Sequence, residues 1–235
     1  MKLTPRLLTI ANLVPQNAVI ADIGTDHGYI PVYLIKHNIA KKVIAADVND
    51  GPLQSAKKNI ALYHMENVIE TRLGNGLEVL HAGEADAVII AGMGGLLIRD
   101  ILGAHPEITS SIGTFVLQPM VAQDDLRRWL LANGFMIKNE RLVKEDHRIY
   151  EVMVIRKGTH AVSDEIYYEV GEKLIENKDP LLIEFIQKNL KKYNEILNQL
   201  AGQSSEVANE KRNMCLRKVE KLEEVLSCLK NVKPL

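Results

Sequence analysis

The chain has 235 residues, of which 46% are hydrophobic and 25% charged, and its formal net charge is −1. That length and composition suit a globular protein with one domain of roughly 150 residues and an appendage. The near-neutral balance excludes a global field that would draw the protein to nucleic acid or a membrane, so any polyanion site must be a local patch.

No run approaches the roughly 18 apolar residues of a membrane span, and Met1-Lys-Leu-Thr-Pro-Arg6 has no apolar leader core. Two cysteines, Cys215 and Cys228, stand late in the chain without metal-ligand spacing. A cytoplasmic protein with no metal centre and no membrane contact is expected.

In chain order, Thr4-Pro5 followed by Arg6 to Val14 reads as an N-capped helix with proline at its first position, stopped by Pro15. Strand-like runs then occupy 18–24, 42–48, 67–73, 86–92 and 113–118. Helical patterns separate them near 28–37, 51–63, 94–103 and 122–133. Ala18–Ile23, Val43–Val48 and Ala87–Ala91 read as apolar throughout rather than alternating. Such strands have both faces covered, which predicts a parallel sheet flanked by helices.

The pattern changes at Phe135–Val143 and Ile149–Ile155, two strands joined only by the polar Lys144-Glu-Asp-His-Arg148. Strands this close should pair as an antiparallel hairpin. A parallel sheet ending in such a hairpin resembles the Rossmann-like α/β fold of class I methyltransferases rather than the all-parallel dinucleotide dehydrogenases. Residues 1–160 are therefore assigned to one domain and 161–235 to a second. In the second, Ile183, Ile186, Leu190, Tyr193, Leu197 and Leu200 form a heptad seam. Cys215, Val219, Leu222, Leu226 and Leu229 form another after the break Ala201-Gly-Gln-Ser-Ser205. This predicts an antiparallel helical hairpin with a coiled-coil seam. A monomer is expected, with a dimer closed through the same seam as the alternative.

Ligands of an open α/β sheet lie beyond the carboxyl ends of its strands. Those ends read Asp22-Ile-Gly24-Thr-Asp26-His27-Gly28, Asp47-Val48-Asn49, Leu73-Gly-Asn75-Gly76, Ile90-Ala91-Gly92-Met93-Gly94-Gly95 and Leu117-Gln118-Pro119-Met120. Glycines cluster at four of the five. Any single glycine-rich loop is unremarkable in such folds, but four converging on one edge favour a ligand site. A glycine turn followed by an acid at the next strand's tip suits a nucleoside, the acid accepting from ribose hydroxyls. In a dinucleotide site Asp26 would stand where a glycine admits pyrophosphate, and a carboxylate there repels it. S-adenosylmethionine carries a sulfonium and an ammonium and no phosphate. Asp22 or Asp26 could face its ammonium, Asp47 its ribose, and Asn75 with Gly76 its adenine edge.

Asp22-Ile-Gly-Thr-Asp-His-Gly-Tyr-Ile-Pro31, Ala46-Asp-Val-Asn49 with Pro52-Leu53, Ala91-Gly-Met-Gly-Gly95 with Leu97-Ile98, and Gln118-Pro119 together resemble the bacterial tRNA (adenine(22)-N(1))-methyltransferase family. Leu126-Arg-Arg-Trp-Leu130 and Glu145-Asp146 with Tyr150-Glu151 match its pattern as well. The resemblance covers residues 1 to about 160, and a C-terminal helical hairpin is what that family carries. The family tolerates Asp26 where most methyltransferases have glycine.

The resemblance implies methyl transfer from S-adenosylmethionine to N1 of adenosine 22 in the tRNA D-arm. It implies cofactor contacts from Asp22, Gly24, Asp26, Gly28, Asp47, Val48, Asn75, Gly76, Ala91, Gly92, Gln118 and Pro119. Asp26 or His27 and the Met93-Gly94-Gly95 backbone are expected to line the acceptor pocket. Against these stand plainer roles: His27 capping a helix turn, Met93 and Met120 filling space beneath a pocket, Trp129 in the core, and Tyr29 packed inside. Candidate RNA patches are Arg127-Arg128, Lys138/Arg141/Lys144/Arg148, Lys188/Lys191/Lys192 and Lys211/Arg212/Arg217/Lys218, the last two making the hairpin a possible tRNA clamp. The competing readings are a class I methyltransferase for a small molecule or protein, and a non-catalytic RNA-binding module.

Overall fold

The computed structural model describes residues 2–231 and divides into two compact units, with the break after Ala161. The first unit begins with α1 (Pro5–Asn12). It continues with β1 (Ala18–Ile23), α2 (Tyr29–Lys36), β2 (Ala40–Asp47), α3 (Asp50–Leu62) and β3 (Ile69–Leu73). Then come β4 (Ala87–Met93), α4 (Gly95–Ala104), α5 (Pro106–Ser111), β5 (Thr114–Pro119), α6 (Gln123–Ala132), β6 (Phe135–Glu145) and β7 (Arg148–Lys157). One seven-stranded sheet has the order β3-β2-β1-β4-β5-β7-β6. The first five strands run parallel, and β7 pairs antiparallel with both β5 and β6.

This is the Rossmann-like methyltransferase order, with the chain reversing its direction of travel between β1 and β4. A crevice therefore opens beyond the tips of those two strands. Continuous apolar strands do cover both faces. Ile20 and Ile89 join Ile10, Leu34 and Ile60 in one core, whereas Ala21 and Ile90 join Ile98, Leu102, Leu126 and Leu130 in the other.

Three local features differ from the sequence reading. The first helix ends at Asn12 rather than Val14, because the residue before Pro15 is pushed out of helical geometry. The hairpin turn shrinks to Asp146-His147, with Asp146 at φ +54°, so both strands run longer than expected. Arg127 is not a surface residue. It is 1% exposed, and its guanidinium donates to Glu140 (2.8 Å) and Glu151 (2.5 Å). Its sequence neighbourhood looked basic and solvated, but α6 turns this position under the β6–β7 hairpin.

The second unit contains short helices α7 (Ile166–Val170) and α8 (Glu172–Glu176), then α9 (Leu182–Gln199) and α10 (Glu206–Asn231), which pack on each other. Ile186, Tyr193, Leu200, Cys215 and Leu222 are buried. Ile183 is not: it is 42% exposed, and Leu182 and Phe185 are buried in its place. The reason is that the first turn of α9 also faces the short helices. Ile183 lines an open groove with Ile166, Ile175, Val225 and Leu229. Two of the expected basic residues are committed locally. Lys218 binds Glu169 and the Tyr193 hydroxyl, and Arg212 donates to the Leu200 and Gln203 carbonyls.

Candidate active site

The site begins where β1 runs out. The N–H groups of Gly24 and Thr25 both donate to the Ala46 carbonyl (2.8 and 2.9 Å), which folds the turn against the end of β2. Gly24 sits at φ +78°, and a Cβ there would stand 2.3 Å from the Met93 methyl group. Asp26 is also left-handed at φ +49°. Asp is among the few non-glycine residues that tolerate this region, so the acid fits the backbone where a glycine is usual. Its carboxylate is exposed, 3.6 Å from His27 Nε2. His27 in turn stacks on Tyr29 with ring centroids 5.2 Å apart. Tyr29 is 43% exposed rather than packed inside, because the first turn of α2 faces outward at this edge.

Asp22 and Asp47 end adjacent strands, and both are buried. Burial pushes the Asp22 carboxyl up from 3.8 to about 6. The Thr25 side chain pulls it back and the Asp47 charge pushes it further. Thr25 Oγ1 is buried close to that carboxyl but makes no hydrogen bond of good geometry among the described residues. Asp47 accepts from the Asn49 N–H (2.8 Å) through Oδ1. Beside it Val48 and Leu73 are exposed, at 59% and 58%. Asn75 is exposed and opens the single 3-10 turn Gly76–Val79, its N–H bonded to Glu78.

The β4 tip is stitched to the segment after β5. Met93 O accepts from the Met120 N–H, and the Gly95 N–H donates to Val121 O, both at 2.8 Å. Those two backbone groups are therefore already used, and the exposed Leu96, Leu97 and Val121 flank Gly94 here. Three of the expected cofactor contacts also have structural roles within the protein. Gly28 lets α2 approach α3, since its Cβ would lie 3.2 Å from Ala56 Cβ. Gln118 is fully buried, with its amide N–H bonded to Pro119 O (2.9 Å) and its oxygen to Arg6 Nη1 (2.8 Å). Pro119 is buried beside it. Asp22, Gly24, Asp47, Val48, Ala91 and Gly92 remain at or beside the crevice.

A nucleoside with a cationic tail fits these groups. The buried Asp22 carboxyl is held near its ionisation point, and Thr25 Oγ1 is unsatisfied. Asp47 keeps an oxygen to spare, and the Val48 and Leu73 side chains offer an apolar edge. The β1 and β2 turns contain no lysine or arginine that would receive a pyrophosphate.

Residues 20–224 match the family model for tRNA (adenine(22)-N(1))-methyltransferase. A Bacillus subtilis protein of that description is 35% identical over 237 residues, covering 99% of this chain and 97% of the relative. The chain belongs to this family. Among solved structures, the B. subtilis m1A22 tRNA methyltransferase superposes with a TM-score of 0.87 at 34% identity, covering 96% of this chain and 99% of that one. Streptococcus pneumoniae Sp1610 in complex with S-adenosyl-L-methionine gives 0.86 at 32%, covering 96% and 100%. The methyltransferase cofactor is thus S-adenosylmethionine, in agreement with the donor set. Arg6 of α1, which sequence reasoning did not single out, reaches the β4 and β5 tips, where its Nη1 donates to Gln118, 112 positions away.

Proposed function

We propose that the chain methylates N1 of adenosine 22 in tRNA, the acceptor named by its family. The observation that carries this reading is the full-length match together with an acidic, phosphate-free donor turn at the β1 and β2 tips. S-adenosylmethionine supplies an electrophilic methyl group when bound. Asp22 in its ionised form would hold the donor's ammonium, Asp47 its ribose hydroxyls, and Val48 and Leu73 the apolar face of its adenine.

Adenine N1 attacks through an in-plane lone pair, so no proton leaves first and no general base is required. The acceleration then comes from aligning nucleophile, methyl and sulfur in a desolvated crevice. The product base is a cation, and the Asp26 carboxylate at the rim favours that charge. Tyr29, exposed beside it, supports stacking of a base extruded from its pairing partners.

The exposed Lys191, Lys192, Lys211 and Arg217 of the helical unit support a tRNA-gripping role for residues 162–231. A tRNA substrate and the free cysteines Cys215 and Cys228 support a cytoplasmic location.

The test is transfer of labelled methyl into an unmodified tRNA transcript, followed by mass mapping of the modified nucleoside. Label at position 22, lost when that adenosine is replaced by guanosine, is the expected result. Cofactor binding without transfer to tRNA would overturn it in favour of another acceptor. For the grip, Lys191→Glu with Lys192→Glu should weaken tRNA binding and flatten its salt dependence. Unchanged affinity would remove the helical unit from RNA recognition.

A further inference from the structure

Three arginines are paired with carboxylates, while Arg156 and Arg212 donate to neutral oxygens. Arg72 is held by Glu70 and Glu84, Arg99 by Asp100, and Arg127 by Glu140 and Glu151. Arg6 makes no ion pair among the described residues. Its Nη1 donates to the neutral amide oxygen of Gln118 (2.8 Å), and its guanidinium carbon lies 5.5 Å from the centre of the Tyr150 ring. The carboxylate of Glu145 is engaged by the Arg6 backbone N–H (2.9 Å), which anchors the first turn of α1.

This arrangement is built rather than incidental. Gln118 has no exposed surface, and its amide nitrogen is tied to Pro119 O, so its oxygen can point only toward Arg6. A half-buried guanidinium is thereby fixed in direction while its charge stays uncompensated. It stands at the β4 tip: a Cβ on Gly92 would have Arg6 Nη1 as its nearest neighbour, at 3.9 Å. Desolvating a cation without an anionic partner is costly. A protein that also places three carboxylates, Asp22, Asp26 and Asp47, along the same edge needs a cation there if any ligand brings an anionic group.

We propose that Arg6, oriented by Gln118 and Tyr150, is the anion-binding residue of the reaction centre and takes a carboxylate or phosphate oxygen pair. The inference rests on the methyltransferase reading, which methyl transfer by the unaltered chain tests by itself. Two sources can present such an oxygen pair: the amino-acid carboxylate of the donor, and the backbone phosphate beside the target adenosine. A guanidinium binds either through two parallel N–H donors.

The experiment compares the full-length chain with Arg6→Met and Arg6→Lys. It measures the Kd of S-adenosylhomocysteine and of methylthioadenosine, which lacks the carboxylate, and the Kd of tRNA as a function of salt. If the donor is the source, Arg6→Met weakens S-adenosylhomocysteine at least tenfold and leaves methylthioadenosine unchanged. If the phosphate is the source, both nucleoside affinities hold, tRNA binding weakens, and the slope of log K against log salt falls by about one. In either case Arg6→Lys recovers part of the loss. The proposal is overturned if Arg6→Met leaves all three affinities and the salt slope unchanged, even if thermal stability falls. It is also overturned if Arg6→Lys is as impaired as Arg6→Met while both fold normally.

Discussion

Replacing Asp22 with asparagine should make the protein more stable and a worse enzyme. The carboxyl moves from 3.8 to about 6 on folding, chiefly through burial. Between those values the native state holds a proton that the unfolded chain has lost, so stability falls as pH rises across the window. Above pH 6 the full cost of the buried charge is present, about 3 kcal/mol for a carboxyl moved from 3.8 to about 6. Asparagine copies the protonated acid in shape and never ionises. The stability gap between Asp22→Asn and the unaltered chain should therefore be near zero at pH 4 and widen to as much as about 3 kcal/mol at pH 7.5. At roughly 2–4 °C per kcal/mol for a chain of this size, that is a gain of roughly 6–12 °C.

Binding moves the other way, because only the ionised acid attracts an ammonium. The unaltered chain should bind S-adenosylhomocysteine more tightly as pH rises through 6 and level off above 7. The variant should be flat over that range and about 10- to 100-fold weaker at pH 7.5, the worth of one charged hydrogen bond. Thermal unfolding of the unliganded protein and calorimetric titration across pH 4–7.5 read both effects. The reasoning fails if the variant is no more stable at pH 7.5 than the unaltered chain, or if the affinity of the unaltered chain does not change between pH 5 and 7.

Arg127→Met should cost about 3–5 kcal/mol in urea unfolding, since it removes the buried cation that both Glu140 and Glu151 bind. A loss below 1 kcal/mol would show that water reaches the pair. In Gly95→Ala the new Cβ would stand 2.3 Å from the Ala122 carbonyl oxygen, a backbone atom that cannot swing aside. Displacement of the 120–122 segment should cost about 1–3 kcal/mol and lower kcat more than cofactor affinity; wild-type kcat would sink this account. Tyr29→Ala should raise the KM for tRNA or lower kcat by about 5- to 100-fold through lost base stacking. Cofactor Kd should hold in that variant and Tyr29→Phe should remain active, whereas equal losses in both variants would point to the hydroxyl instead.

The amino-acid order alone determined the number and sequence of the strands, their parallel pairing and the antiparallel hairpin that ends the sheet. Those features follow from short-range periodicity, which needs no knowledge of the partner. The acidic glycine turn at 22–28 and Asp47 were legible for the same reason: a strand, a turn and a carboxylate are local patterns. Burial and long-range pairing were not. Arg127 and Arg128 read alike along the chain, yet the first lies beneath the β6–β7 hairpin and is neutralised by two glutamates. Gly28 reads along the chain as a ligand glycine, and only the fold shows that it also lets α2 approach Ala56 of α3. Ile183 fits a heptad and still faces outward, because a third element competes for the same turn of α9. Arg6 carried no signal in its own neighbourhood. Only the fold brings it to Gln118 and Tyr150, with no carboxylate paired to its guanidinium among the described residues.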